Sequence, residues 1–95
     1  MDFLRKYGLS EIDINKIKNK YDKELISGIL LKKNNVMLLL DYFKDNKFDI
    51  KTLLFNRLDL FLINFKHIKD RINRYNEGEL LKYLRYDISL IDNLR

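Results

Sequence analysis

The sequence predicts an all-α domain, a small compact bundle or short solenoid of about five to six helices spanning residues 1–95 as a single unit. Three observations predict it. Wound at about 100° per residue, Val36–Phe43 is apolar nearly all round, which marks a buried helix that neighbours must cover on several sides. The flanking segments carry one-sided apolar stripes at helical spacing, preceded by Ser, Asp or Asn in cap position. The three glycines, Gly8, Gly28 and Gly78, stand isolated at expected helix ends.

Taken in order, Met1–Leu9 sets Phe3, Leu4 and Tyr7 at helical spacing and closes on Gly8. Ser10 reads as an N-cap, with Asp13 in the capping-box position. Ile14, Ile17, Tyr21 and Leu25 then form one stripe, predicting a single amphipathic helix over Glu11–Ile26. Lys16, Lys20 and Lys23 point away from that stripe, Asn15 and Asn19 lie between them, and Asp22 and Glu24 fall on the flanks. Ser27-Gly28 reads as a break. Ile29-Leu30-Leu31 fits a strand or a turn of helix equally, since periodicity does not decide so short a run. Lys32-Lys33 lead into the central helix, capped by Asn34 or Asn35. Its stripe is Val36, Leu39, Leu40 and Phe43, with Met37, Leu38 and Tyr42 on the flanks and Asp41, Lys44 and Asp45 as a narrow polar strip.

Asn46-Lys47 closes the central helix, and Asp49 caps a short one carrying Ile50, Leu53 and Leu54 and ending near Asn56-Arg57. Leu58–Phe65, LDLFLINF, alternates partly and by itself reads as a strand. Phe65, Ile68, Ile72 and Tyr75 restore helical spacing over Asn64–Asn76, with Asn64 as cap. Asn76 with Glu79 caps a further short helix built on Leu80, Leu81 and Leu84. The tail Asp87–Arg95 offers Ile88, Ile91 and Leu94 for a final turn that lids the core.

Leu53–Phe61 and Tyr83–Ile91 align at an offset of about 30 residues, pairing Leu54 with Leu84, Leu58 with Ile88, Leu60 with Leu90 and Phe61 with Ile91. An earlier register pairs Leu25, Ile29 and Leu31 with Leu54, Leu58 and Leu60. Two to three units, each a short helix, a tight apolar turn and a longer helix, are one way to organise the chain. FDIKTLLFNRLDLFLINFKHIKDRINRY (Phe48–Tyr75) resembles a repeat of the mitochondrial transcription termination factor family, and YGLSEIDINKI (Tyr7–Ile17) is similar to the opening of such a unit. The resemblance implies stacked helix pairs in a curved solenoid that binds double-stranded nucleic acid, with LDLFL as an apolar turn between helices and not a strand. The chain departs from the family at Leu58, where those repeats carry a proline.

Chemistry is sparse. Cysteine is absent and His67 is the single histidine, so neither disulfides nor an imidazole metal site is expected, and no cofactor. Asp41 and Asp45 read as solvated charge, the serines and Thr52 as caps or turns, and no glycine-rich phosphate loop occurs. An enzyme is not expected. With 46% hydrophobic residues, no apolar run near the length of a bilayer span and no secretion signal at Met1–Asp13, the protein is expected in the cytoplasm, without a membrane partner.

The formal net charge is +5, but alanine, proline, glutamine and tryptophan are missing while Lys and Asn abound, as an AT-rich genome produces, so lysine fills solvated positions by default. Two functions from different classes follow. The preferred one is a helical adaptor or inhibitor of mobile-element or phage origin that binds another protein. The alternative is a nucleic-acid-binding module using Lys16, Lys20, Lys23, Lys32 and Lys33.

Overall fold

Capping chemistry sets most of the helix starts. The Ser10 side chain accepts from the Asp13 N–H at 3.2 Å and the Asp13 carboxylate from the Ser10 N–H at 3.0 Å, a complete capping box that opens α1 (Glu11–Lys20). Asp22, Asp49, Asn64 and Asn76 each accept a backbone N–H three residues on, opening α2 (Lys23–Leu31), α4 (Ile50–Asn56), α5 (Phe65–Asn73) and α6 (Glu77–Tyr86). The remaining α-helix, α3 (Lys33–Asp45), has no capping side chain and follows α2 through Lys32 alone. Among the described residues three 3-10 helices join them: Asp2–Tyr7, Leu58–Leu62 and Ile88–Leu94. The computed structural model describes residues 1–94, and among the described residues there is no strand: the fold is all-α.

The apolar pattern then dictates the packing. α3 touches α2, α4, α5 and the 3-10 helix Leu58–Leu62, and buries Val36, Leu39, Leu40, Tyr42 and Phe43. Around it, Phe43 meets Phe48 and Phe61 with ring centroids 4.9 and 5.9 Å apart, and Tyr42 meets Phe65 edge-on at 5.8 Å. Leu38, half exposed at 50%, leaves α3 less than uniformly buried. Ile91 and Leu94 of the last 3-10 helix are buried, so the C-terminal turn packs onto α5 and α6 as the sequence leads one to expect. The long axis of 37 Å is nearly twice the other two, at 21 and 20 Å.

Several boundaries differ from the sequence reading, each for a tertiary reason. The expected helix Glu11–Ile26 is two helices, because Tyr21 is extended (φ −105°, ψ 155°) and Asp22, read as a flank residue, instead caps α2 by accepting the Leu25 N–H at 2.8 Å. Tyr21 is held there by its hydroxyl, which donates toward the Leu54 and Phe55 carbonyls at 3.0 and 2.7 Å. Gly28 does not break a helix; it lies inside α2, where the Leu62 side chain comes within 3.4 Å of the position a Cβ would take. Ile29-Leu30-Leu31 is the helical last turn of α2. Gly78 lies in the first turn of α6 rather than at its boundary. Asn34 and Asn35 do not cap the central helix: Lys32 holds that position, and the Asn35 side chain reaches across to Ile63 and Phe65. Leu58–Leu62 is a 3-10 turn between helices, not a strand.

Candidate interaction surfaces

Five lysines carry the sequence-based site, and the bend at Tyr21 divides them. Lys16 and Lys20 lie one turn apart on α1, whereas Lys23 begins α2 beyond the extended residue and no longer shares their wheel. Lys20 is engaged within the fold: its ammonium donates to the Phe55 carbonyl and stands 5.6 Å from the Tyr21 ring centroid. On the neighbouring surface Lys51 pairs with Asp13 at 3.3 Å, adding a carboxylate to the α1 side. Lys32 and Lys33 sit at the α2–α3 junction, with the Lys33 ammonium 5.7 Å from the Phe3 ring centroid.

That junction forms one wall of a groove of about 480 Å³, lined by Leu31, Lys32, Lys33, Asn34, Asn35, Leu62 and Asn64. Its second wall is the segment joining Leu58–Leu62 to α5. Asn35 pins the two walls together, its amide donating to the Ile63 carbonyl at 2.8 Å and its carbonyl oxygen accepting the Phe65 N–H at 2.8 Å. Asn64 is engaged as the α5 cap. The groove therefore keeps two lysines and two leucines while Asn35 and Asn64 are satisfied internally. Leu31 projects into solvent at 87% exposure.

A second surface comes from the tyrosines, which fall into two sets. Tyr7 donates to Asp41 at 2.7 Å, Tyr21 to the α4 carbonyls, and Tyr42 to Glu77 at 3.3 Å. Burial first, and the adjoining carboxylates second, push the Tyr7 and Tyr42 hydroxyls well above the ordinary tyrosine range, and burial likewise raises Tyr21. Asp41 is solvent-exposed, as the sequence reading expects, and also accepts the Tyr7 hydroxyl. Tyr75, Tyr83 and Tyr86, in contrast, are 62%, 60% and 93% exposed. On α6, Leu81 and Leu84 face the core while Lys82, Tyr83, Arg85 and Tyr86 face outward. Arg85 also donates to the Asn46 carbonyl at 2.9 Å, and Tyr86 borders a groove of about 360 Å³ between the start of α4 and the end of α6.

No protein-family model, curated protein or solved structure matches this chain. Arg57 joins Asp59 and Asp92 at 3.2 and 2.8 Å, bonds that raise its guanidinium pKa and tie the turn after α4 to the C-terminal turn. His67 lines a shallow hollow with Asp59, Leu62 and Ile63. Among the described residues no three His, Cys, Asp or Glu side chains group as metal ligands, and no helix is long and apolar enough to cross a membrane. Sequence reasoning missed Leu31, Leu62 and the tyrosine face. The α6 wheel held the signal for the tyrosines, because Tyr83 and Tyr86 fall outside the stripe of Leu81 and Leu84.

Proposed function

We propose that this chain is a non-catalytic helical module that binds another protein. The observation that carries the reading is the division of the tyrosines: Tyr7, Tyr21 and Tyr42 are bonded inside the fold, while Tyr83 and Tyr86 stand exposed on the outward face of α6 beside Arg85. Tyrosine and arginine are the residue types that concentrate binding energy at protein interfaces, because a rigid amphipathic ring buries a large area for little lost conformational entropy. The division of Lys16 and Lys20 from Lys23, and the engagement of Lys20 with Phe55, weigh against a continuous phosphate-binding face on α1.

We further propose that α4 with Leu58–Leu62 and α5, and α6 with Ile88–Leu94, belong to successive units of about 30 residues, each a short helix followed by an apolar turn, as the mitochondrial termination-factor resemblance over Phe48–Tyr75 implies. The recurring order of an α-helix and a 3-10 helix supports this, as does burial of both members of the pairs Leu54/Leu84 and Phe61/Ile91, while the pair Leu60/Leu90 differs, with Leu90 39% exposed. The register through Leu25, Ile29 and Leu31 runs along α2 with no such turn, so the repeat does not extend to it.

The test is Tyr83→Ala with Tyr86→Ala. Proteins captured from an extract of the source cell by the wild type should be lost with the variant, while its far-UV circular dichroism is unchanged. Equal recovery by both overturns the reading. So does duplex DNA binding whose log–log salt slope approaches about −2.7, the value for three neutralised phosphates at about −0.9 each, and which Lys16→Glu, Lys20→Glu and Lys23→Glu together abolish.

A further inference from the structure

We propose that the groove at the α2–α3 junction is the docking site for an acidic amphipathic segment of the partner, a stretch that sets a leucine-like side chain beside carboxylates. This rests on the protein-binding reading above but concerns a different surface from the α6 tyrosines. Charge complementarity selects the occupant. The charged residues lining the groove are Lys32 and Lys33, no carboxylate lines it, and neither lysine is ion-paired among the described residues. The same groove is lined by Leu31, 87% exposed, on the wall of the lysines and by the half-buried Leu62 on the opposite wall.

The two features together favour an occupant that carries both groups over simpler ones. A phosphate backbone would neutralise the lysines but leave Leu31 in water. A neutral apolar segment would cover Leu31 while withdrawing two ammonium groups from solvent without a counter-charge, a costly desolvation. A segment carrying both groups satisfies the site, with the ion pairs at the rim setting orientation and association rate more than affinity. The groove is also ready for it. Asn35 bridges its walls through the bonds to Ile63 and Phe65, and Leu62 rests against α2 at Gly28. Ordering the walls on binding therefore costs little.

The test uses the full chain and a fluorescein-labelled helical peptide of about 16 residues, with Leu at i, i+3, i+4 and i+7 and Glu at outward positions. Two partners to this probe carry Gln or Lys in place of every Glu. The acidic peptide should bind, and should weaken about tenfold or more, an easily read 1.4 kcal/mol, when Glu becomes Gln or when Leu31 is changed to Ser. Combining Lys32→Glu with Lys33→Glu should reverse the preference, so that the Lys peptide binds better than the Glu peptide. Because Leu31, Lys32 and Lys33 are exposed, unchanged urea midpoints are expected for all variants. Equal binding of the Glu and Gln peptides, no reversal with the double variant, or displacement of the acidic peptide by a single-stranded oligonucleotide each overturns the assignment. If the peptides fail while capture dependent on Tyr83 and Tyr86 persists, the groove assignment alone falls. If both fail, the protein-binding reading falls with it.

Discussion

Truncating Leu40 to alanine tests whether α3 is the centre of the core. Leu40 is 0% exposed on a helix covered by α2, α4, α5 and the turn Leu58–Leu62, so four separate elements would have to move inward to fill the lost volume. A site that collapses poorly keeps its cavity, which puts the cost in the upper part of the Leu→Ala range of about 2–5 kcal/mol. We take about 3–4 kcal/mol against the ~5–15 kcal/mol that holds a domain folded. At about 4–8 °C per kcal/mol for a domain of this size, the thermal midpoint should drop by 12 °C or more. Leu38 is the matched control, since it lies two residues away on the same helix but is 50% exposed, and its replacement by Ala should cost under about 1 kcal/mol. Urea unfolding of both variants, followed by circular dichroism at 222 nm, reads the contrast directly. A loss below about 1 kcal/mol for Leu40→Ala, or equal losses for the two, would refute the assignment of α3 as the centre.

Two further predictions concern pH and glycine. Hydrogen bonds from the Thr52 backbone and side chain hold the Asp49 carboxyl below its ordinary value of 3.8, as those from Ser10 do for Asp13. The unfolded chain therefore binds more protons through this range, so the stabilisation is full above pH 3.8 and is lost as pH falls through the lowered folded values. Asp49→Asn keeps a capping side chain but removes one titration; its urea midpoint should stay near wild type at pH 7 and fall less steeply below pH 4, and an unaltered acid limb would contradict the linkage. Gly8 has φ 86° while Gly28 is helical with the Leu62 methyls at ordinary contact, so alanine should act with opposite sign at the two positions. Gly8→Ala should destabilise by about 1 kcal/mol or more, and Gly28→Ala should stabilise by up to about 1 kcal/mol in the same denaturation assay; a stabilising Gly8→Ala would contradict the left-handed cap.

The amino-acid sequence by itself determined what local chemistry controls. The Ser10–Asp13 box and the caps at Asp49, Asn64 and Asn76 were legible because a short oxygen-bearing side chain three residues ahead of a free N–H needs no distant partner. The burial of Val36, Leu39, Leu40 and Phe43 was legible from helical periodicity alone. Tertiary contacts decided the rest. The wheel through Ile14, Ile17, Tyr21 and Leu25 was continuous, yet the chain bends at Tyr21 because its hydroxyl finds the ends of α4, residues more than thirty positions away. Gly28 looked like a stop until Leu62 was packed against it, and Asn35 looked like a cap until Ile63 and Phe65 offered it partners across the groove. The lysines followed the same rule: a helical wheel groups them only while the helix is straight, so the bend that moved Lys23 off α1, and the fold that brought Leu62 beside Lys32 and Lys33, were set by long-range packing that no local spacing encodes.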